Sequence, residues 1–176
     1  MNIRVATNCD RNSITHIYHS AFSSAERDLV AQLAVSLLGE NATPSIISLV
    51  VGIENTVVGH VACSPVFIEN DQHWQGYILA PLAVGSEYQK RGIGSQLVNY
   101  VIQELLQIGV DILLVYGDPN YYSRFGFSAD LAEGYIPPYE LEYPFGWQAV
   151  KLSDSEITDL PVKITCVDAL NDSRLW

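Results

Sequence analysis

The run Leu82-Ala83-Val84-Gly85-Ser86-Glu87-Tyr88-Gln89-Lys90-Arg91-Gly92-Ile93-Gly94-Ser95-Gln96-Leu97 decides how this chain is read. An apolar strand enters a short turn, and two glycines flanking one isoleucine open a helix. The first turn of a helix carries N–H groups without internal acceptors, and its dipole favours negative charge. Glycines there let a phosphate approach the backbone closely. The stretch therefore reads as a cradle for a phosphorylated ligand, with Lys90 and Arg91 in the turn itself.

Outward from the cradle, Tyr77 to Val84 is the entering strand. Ile93, Leu97, Val98, Val101, Ile102, Leu105 and Leu106 form one apolar helical stripe that Gly109 is placed to end. Ile112 to Tyr116 is a short apolar run of the kind buried in a parallel sheet. Strand, helix and strand make one right-handed crossover. Upstream, Ile3 to Ala6 predicts a first strand. A helix capped by Asn12 or Ser13 is expected to run to Phe22, and a second, capped by Ser23 or Ser24, to carry Leu29 to Leu38. Ser45 to Ile53 and Thr56 to Val66, joined at Glu54-Asn55, read as an antiparallel hairpin, and Glu69 to Gln75 as a polar turn. Downstream, Tyr121 to Arg124 predicts a helical turn. Trp147 to Leu152 and Val162 to Val167 predict strands. There is no internal repeat and no linker, so residues 1–176 are read as one mixed α/β domain.

Composition narrows the partners. The chain has 176 residues, 48% of them hydrophobic, and a net charge of −11, which disfavours nucleic acid. That charge is uneven. No Lys or Arg lies between Arg27 and Lys90, and Lys90-Arg91 is the sole adjacent basic pair. A positive turn in an acidic protein suits an anionic cofactor, and the acidic remainder favours a cationic second substrate. The longest apolar run, near Ile46 to Ile53, is too short to span a bilayer. The first residues carry no apolar signal region, and three separated cysteines fit reduced thiols, so a cytoplasmic protein is expected.

Several phosphate-binding designs compete for the loop. The Walker pattern is missing, and the dinucleotide fingerprint lacks its third small residue, since Leu97 stands there. Asp111 lies at the spacing of a ribose-binding acid but ahead of its strand rather than at the carboxyl end. A bare helix start, with glycines serving only packing, stays open. So does an acyl-coenzyme A loop: Gln89-Lys90-Arg91-Gly92-Ile93-Gly94 resembles the Q/R-x-x-G-x-G/A signature of the GCN5-related N-acetyltransferases (GNAT). Tyr122-Ser123-Arg124-Phe125-Gly126-Phe127 resembles that family's Tyr-x-Lys/Arg-x-Gly-Phe segment. The wider run from Gly117, with Val58-Gly59-His60 and Ser64-Pro65-Val66, is similar to the YhbS-like branch; the resemblance covers residues 1–150. Gly117-Asp118-Pro119 departs from the Asn and Ala that many relatives carry, so the resemblance alone does not assign Asn120 the role of the family's upstream Asn.

The resemblance implies a mostly antiparallel sheet with one parallel strand pair that splays apart, flanked by helices. It implies acetyl-CoA as cofactor and an amine as acceptor, and it is compatible with a homodimer. By the match, main-chain groups of Leu82, Ala83 and Val84 would pair with the pantetheine arm. Amides of Gln89, Lys90, Arg91, Gly92, Ile93, Gly94 and Ser95 would hold the pyrophosphate, with Lys90 or Arg91 reaching a phosphate. Tyr122 matches the family's tyrosine at the leaving sulfur. A free phenol near pKa 10 and a thiol near 8.5 make full proton transfer uphill by about 2 kcal/mol, so a hydrogen bond or a desolvated thiolate is required.

The attacking amine must be neutral. Candidate bases are Glu87, His60, His73, Glu54 and Glu26, unranked by sequence. His16 and His19 sit i, i+3 on a helix but lack a third ligand, so no metal is expected. Cys63 has no partner pattern for a nucleophile. Tyr135, Tyr139, Tyr143, Phe145 and Trp147 either line the acceptor cleft or pack the end of the sheet. The leading expectation is an N-acetyltransferase working by direct attack. Its rivals are a non-catalytic acyl-CoA sensor on the same fold and a partner-binding domain that has lost the site.

Overall fold

The computed structural model describes residues 1–69, 73–155 and 160–176. In chain order its elements are β1 (Asn2–Val5), α1 (Arg11–Ala21), α2 (Arg27–Gly39), β2 (Ile47–Ile53), β3 (Thr56–Ile68), β4 (Gly76–Val84), α3 (Ile93–Gln107), β5 (Ile112–Tyr116), α4 (Pro119–Tyr122), β6 (Tyr135–Ile136), β7 (Trp147–Lys151) and β8 (Val162–Cys166), with short 3₁₀ turns among them. They fall into two units. One comprises Met1–Cys63 and Ala80–Val101, the other Ser64–Leu79 and Ile102–Trp176. β3, β4 and α3 each run from one unit into the other. Of the expected polar turn from Glu69 to Gln75, residues 70–72 lie outside the described residues.

In the first unit β1 pairs antiparallel with β2, Asn2 opposite Gly52 and Val5 opposite Leu49. β2 pairs antiparallel with β3, Ile47 opposite Cys63 and Ile53 opposite Thr56. Their hairpin turns at Glu54 and Asn55, with φ of 47° and 68°. Two left-handed residues give the turn a twist that matches paired strands, and Asn adopts that region readily. Ile14, Ile17 and Tyr18 of α1 and Ala31 and Ala34 of α2 form a buried cluster with Val50 and Ala83. α1 starts earlier than Asn12 or Ser13 would set it. A 3₁₀ turn, Asn8–Asp10, precedes it, and Asp10 accepts hydrogen bonds from the Thr7 amide and the Arg4 guanidinium. α2 starts at Arg27 with Glu26 as its N-cap; Ser23 instead donates to the Glu26 carboxylate.

In the second unit the start of β4 runs parallel to β5, from Gly76 opposite Ile112 to Leu79 opposite Val115. β4 then continues to Val84 through Pro81, which has no N–H to give a neighbouring strand. β5 pairs antiparallel with β7, and the end of β3 pairs antiparallel with β8. The two-residue β6 runs parallel to β8. The strands are thus mostly antiparallel with the expected parallel β4–β5 pair. α3 ends in a Schellman motif: the Gly109 amide donates to Leu106 O at 3.2 Å and the Val110 amide to Leu105 O at 3.0 Å. The Asp111 carboxylate accepts the Gln75 amide and the Ser153 hydroxyl. It serves as a brace at the foot of β5.

Candidate active site

The connection from β4 to α3 is held by its own side chains. Gln89 Nε2 donates to Val84 O at 3.0 Å, tying the turn to the strand it leaves. Arg91 Nη2 donates to Glu87 O at 2.9 Å, and its guanidinium lies 5.4 Å from the centre of the Tyr88 ring. These bonds fold the backbone sharply enough to place both Lys90 (φ 60°) and Gly92 (φ 77°) in the left-handed region. A Cβ added to Gly92 would meet nothing within 4 Å, so open space lies before the backbone there. The first helical hydrogen bond of α3 runs from the Gln96 amide to Gly92 O at 3.0 Å. The amides of Ile93, Gly94 and Ser95 precede it and have no carbonyl one helical turn earlier to accept them. Leu82 and Val84 are half-buried while Ala83 is buried, the alternation of a strand with one face turned inward.

Tyr122 belongs to the second unit. Asp118 Oδ1 caps α4 by accepting the Asn120 amide at 2.9 Å, and Pro119 fits the first helical turn. Tyr122 closes that turn, edge-on to Tyr121 and to Phe127 at ring-centre distances of 5.0 and 5.5 Å. Its ring lies over Gly117, where a Cβ would come within 2.5 Å of a ring carbon. Gly117 must therefore lack a side chain for the Tyr122 ring to rest there. The Gly117 amide in turn donates to Gly146 O at 2.9 Å.

Residues 11–127, which include both the loop and Tyr122, match the acetyltransferase (GNAT) family. The chain is 34% identical to the uncharacterized N-acetyltransferase YjhQ of Escherichia coli over 164 residues, spanning 90% of this chain and 88% of that one. The chain belongs to the GNAT acetyltransferase family. Another relative, the uncharacterized N-acetyltransferase YhbS of E. coli, is 37% identical over 132 residues, 72% of this chain and 73% of its own. The crystal structure of E. coli YhbS with CoA superposes at a TM-score of 0.82 with 27% identity, covering 97% of this chain and 92% of that one. A Brucella melitensis GNAT acetyltransferase crystallised with acetyl-CoA shares the fold at a TM-score of 0.73 and 24% identity, covering 96% of each chain.

Within this acyltransferase the candidate bases separate. His60 is corrected to a core residue. It is fully buried, and its ring nitrogens are each 2.9 Å from a hydroxyl, Nδ1 from Tyr18 and Nε2 from Ser48. Burial pushes its pKa down to about 3, the carboxylate of Asp10 opposing only weakly, so the imidazole is neutral. A ring with both nitrogens engaged inside the core is a poor proton acceptor for an incoming amine. Glu26 is exposed and takes the Ser23 hydroxyl. Glu54 sits in the hairpin turn, against a groove of about 420 Å³. Glu87 opens onto a groove of about 230 Å³ shared with His16, Ser20, Ser86 and Tyr88. His19 Nε2 lies 3.0 Å from the Asp28 carboxylate. Cys63 and Cys166 are buried thiols, and burial raises both, Cys166 to about 12.

The downstream aromatics divide between buried and exposed positions. Trp147 Nε1 donates to Tyr135 O at 2.8 Å, and both residues are buried, as is Trp176 beside Trp147. Tyr143 and Phe145 are 53% and 65% exposed. Sequence periodicity does not place Tyr143 and Phe145, because they fall at a 3₁₀ turn where no two- or 3.6-residue rule assigns a face.

Proposed function

We propose that this chain is an N-acetyltransferase that moves the acetyl group of acetyl-CoA to a primary amine, acting as a single catalytic domain in the cytoplasm. The observation that carries the reading is the start of α3, where Gly92 leaves open space before a left-handed backbone and the amides of Ile93, Gly94 and Ser95 lack helical acceptors. The CoA and acetyl-CoA complexes of the YhbS and Brucella relatives support the same ligand here. Among the described residues no helix is long and apolar enough to cross a membrane.

In this reading the amides from Gln89 to Ser95 hold the diphosphate. Lys90 and Arg91 supply the positive field, Arg91 from a position already fixed on Glu87 and Tyr88. Main-chain groups of Leu82, Ala83 and Val84 receive the pantetheine arm, with Val84 O engaged by Gln89. Bound acetyl-CoA supplies an activated acyl carbon. A neutral amine nitrogen forms the new C–N bond as the C–S bond breaks, and its surplus proton leaves to solvent. Tyr122 Oη donates a hydrogen bond to the departing sulfur, whose thiolate is then protonated.

The test is a thermal shift with CoA followed by free-thiol release across amine classes, each with wild type and Tyr122→Phe. A CoA-dependent rise in Tm, thiol release with at least one amine and slower release by the variant are expected. Binding without thiol release for any amine would establish the sensor instead. No thermal shift would remove the ligand altogether.

A further inference from the structure

Residues 139–146, Tyr-Glu-Leu-Glu-Tyr-Pro-Phe-Gly, lead into a hydrogen-bonded turn at Pro144–Gly146. The Tyr143 amide donates to Tyr116 Oη at 2.8 Å, and the Gly146 amide returns to Tyr143 O at 2.8 Å. Pro144–Gly146 is a 3₁₀ turn closed by the Trp147 amide on Pro144 O. So braced, the turn presents two aromatic rings outward, Phe145 being 65% exposed. The rings stand 5.8 Å apart and tilted by 58°, a corner with two π faces. Single exposed aromatics are ordinary on protein surfaces, but an adjacent pair on a fixed turn is a candidate recognition site.

The same turn adjoins Tyr122. Gly146 O takes the Gly117 amide, and the Tyr122 ring rests on Gly117. Along the chain, the charge between Arg124 and Lys151 has one sign. No Lys or Arg lies between Arg124 and Lys151, while Asp130, Glu133, Glu140 and Glu142 do. Glu140 and Glu142 are exposed and immediately precede the ring pair in sequence. A ring face attracts a cation through its quadrupole, and neighbouring carboxylates add to that attraction. An aliphatic polyamine matches this chemistry: one nitrogen reacts as the neutral amine while another stays an ammonium.

We propose that the Tyr143–Phe145 corner, with Glu140 and Glu142, is a cation subsite holding the non-reacting ammonium of a polyamine acceptor. It rests on the acetyltransferase reading for its place beside Tyr122. The experiment is calorimetric titration of CoA-saturated protein with spermidine and, separately, with n-butylamine, at low ionic strength. Wild type binds spermidine more tightly than n-butylamine. Phe145→Leu keeps apolar bulk but removes the π face, and it weakens spermidine by roughly 3- to 30-fold, the range of a cation–π contact, while n-butylamine is unchanged. Phe145→Trp retains spermidine affinity, and all variants keep the wild-type Kd for CoA. Absence of spermidine binding by wild type, equal weakening of both amines by Phe145→Leu, or no weakening of either overturns the subsite. Failure of the acetyltransferase reading appears elsewhere, as no heat from CoA itself or no thiol release from acetyl-CoA with either amine.

Discussion

His60 makes the stability of the first unit depend on pH in a way that can be worked through. The ring is fully buried, held between Tyr18 and Ser48 at 2.9 Å on each side. Both partners are hydroxyls and can accept from an imidazolium, so lost hydrogen bonds are not what opposes protonation. The cost is an uncompensated charge in the core. The nearest helpful carboxylate, Asp10, already receives a two-pronged contact from Arg4 at 2.8 and 2.7 Å. His60 therefore titrates near 6.5 in the unfolded chain and near 3 in the fold. Between those values the unfolded state binds more protons, so stability is full above about pH 6.5 and falls as pH drops, by about 1.4 kcal/mol per pH unit. From pH 7.5 to 4.5 the loss comes to about 2.7 kcal/mol, against a total stability of roughly 5–15 kcal/mol for a domain. Asp10 adds its own acid loss as pH falls through the ordinary carboxyl value of 3.8 and below, because Arg4 holds its folded-state pKa well under that value. Urea denaturation of wild type and His60→Gln at half-unit steps from pH 7.5 to 4.5 reads the effect. The variant starts lower at pH 7.5, by about 1–3 kcal/mol from disturbed hydroxyl partners, and loses the slope. A wild-type curve flat over this window, or an equal slope in the variant, would refute the reasoning.

Three further outcomes test the site. Tyr122→Phe lowers kcat by about 10²-fold, the lower end for a proton-donating group, with the Kd for CoA unchanged by calorimetry. Gly92→Ala finds room for its methyl group but pays about 1–2 kcal/mol for the left-handed backbone, a Tm fall of roughly 2–8 °C. Its CoA affinity falls at least tenfold, because the methyl group occupies the space before the loop. Gly117→Ala forces the Tyr122 ring off its seat, since the new Cβ would lie 2.5 Å from a ring carbon. Its kcat falls to near that of Tyr122→Phe, and the double variant is little worse than either single one, as steady-state thiol release would record.

The elements that could be read from sequence are those specified locally. α3 carries its stripe, its glycine start and its glycine stop within residues 92–109, and Ile93, Leu97, Val98, Val101 and Leu105 are buried as the stripe predicts. Leu106, at the stripe's margin, is 42% exposed. The β2–β3 hairpin is fixed by Glu54-Asn55. The start of α1 departs from the sequence expectation because a residue of another element helps to set it. Asp10 takes the Thr7 amide while also paired with Arg4 of β1, and no pattern local to Asn12 or Ser13 reveals that contact. β6 is two residues long, too short to carry an alternation, and exists because β8 pairs with it. The place of His60 in the core is illegible in the sequence for a related reason. β3 is buried continuously from Val58 to Val66, so alternation assigns the imidazole to neither face. Its partners come from Tyr18 and Ser48, 42 and 12 residues away.

The polar side chains of the signature loop do different work from what their charge suggests. Gln89 and Arg91 donate to carbonyls within the loop, and the Arg91 guanidinium also lies over Tyr88. A guanidinium fixed in this way acts on an anion mainly through its field, which salt screens. Main-chain amides at the start of α3 carry no net charge and act only at contact. Recognition through them survives added salt better than recognition through ion pairs. It follows that Arg91→Gln and Arg91→Ala should differ. Gln can restore a side-chain donor to Glu87 O and so preserve the backbone path, whereas Ala removes the brace along with the charge. If the brace is the larger contribution, Arg91→Gln stays near the wild-type Kd for CoA at 0.3 M salt while Arg91→Ala does not. Equal weakening by both, abolished by salt, would mean that charge rather than backbone shape is what Arg91 contributes.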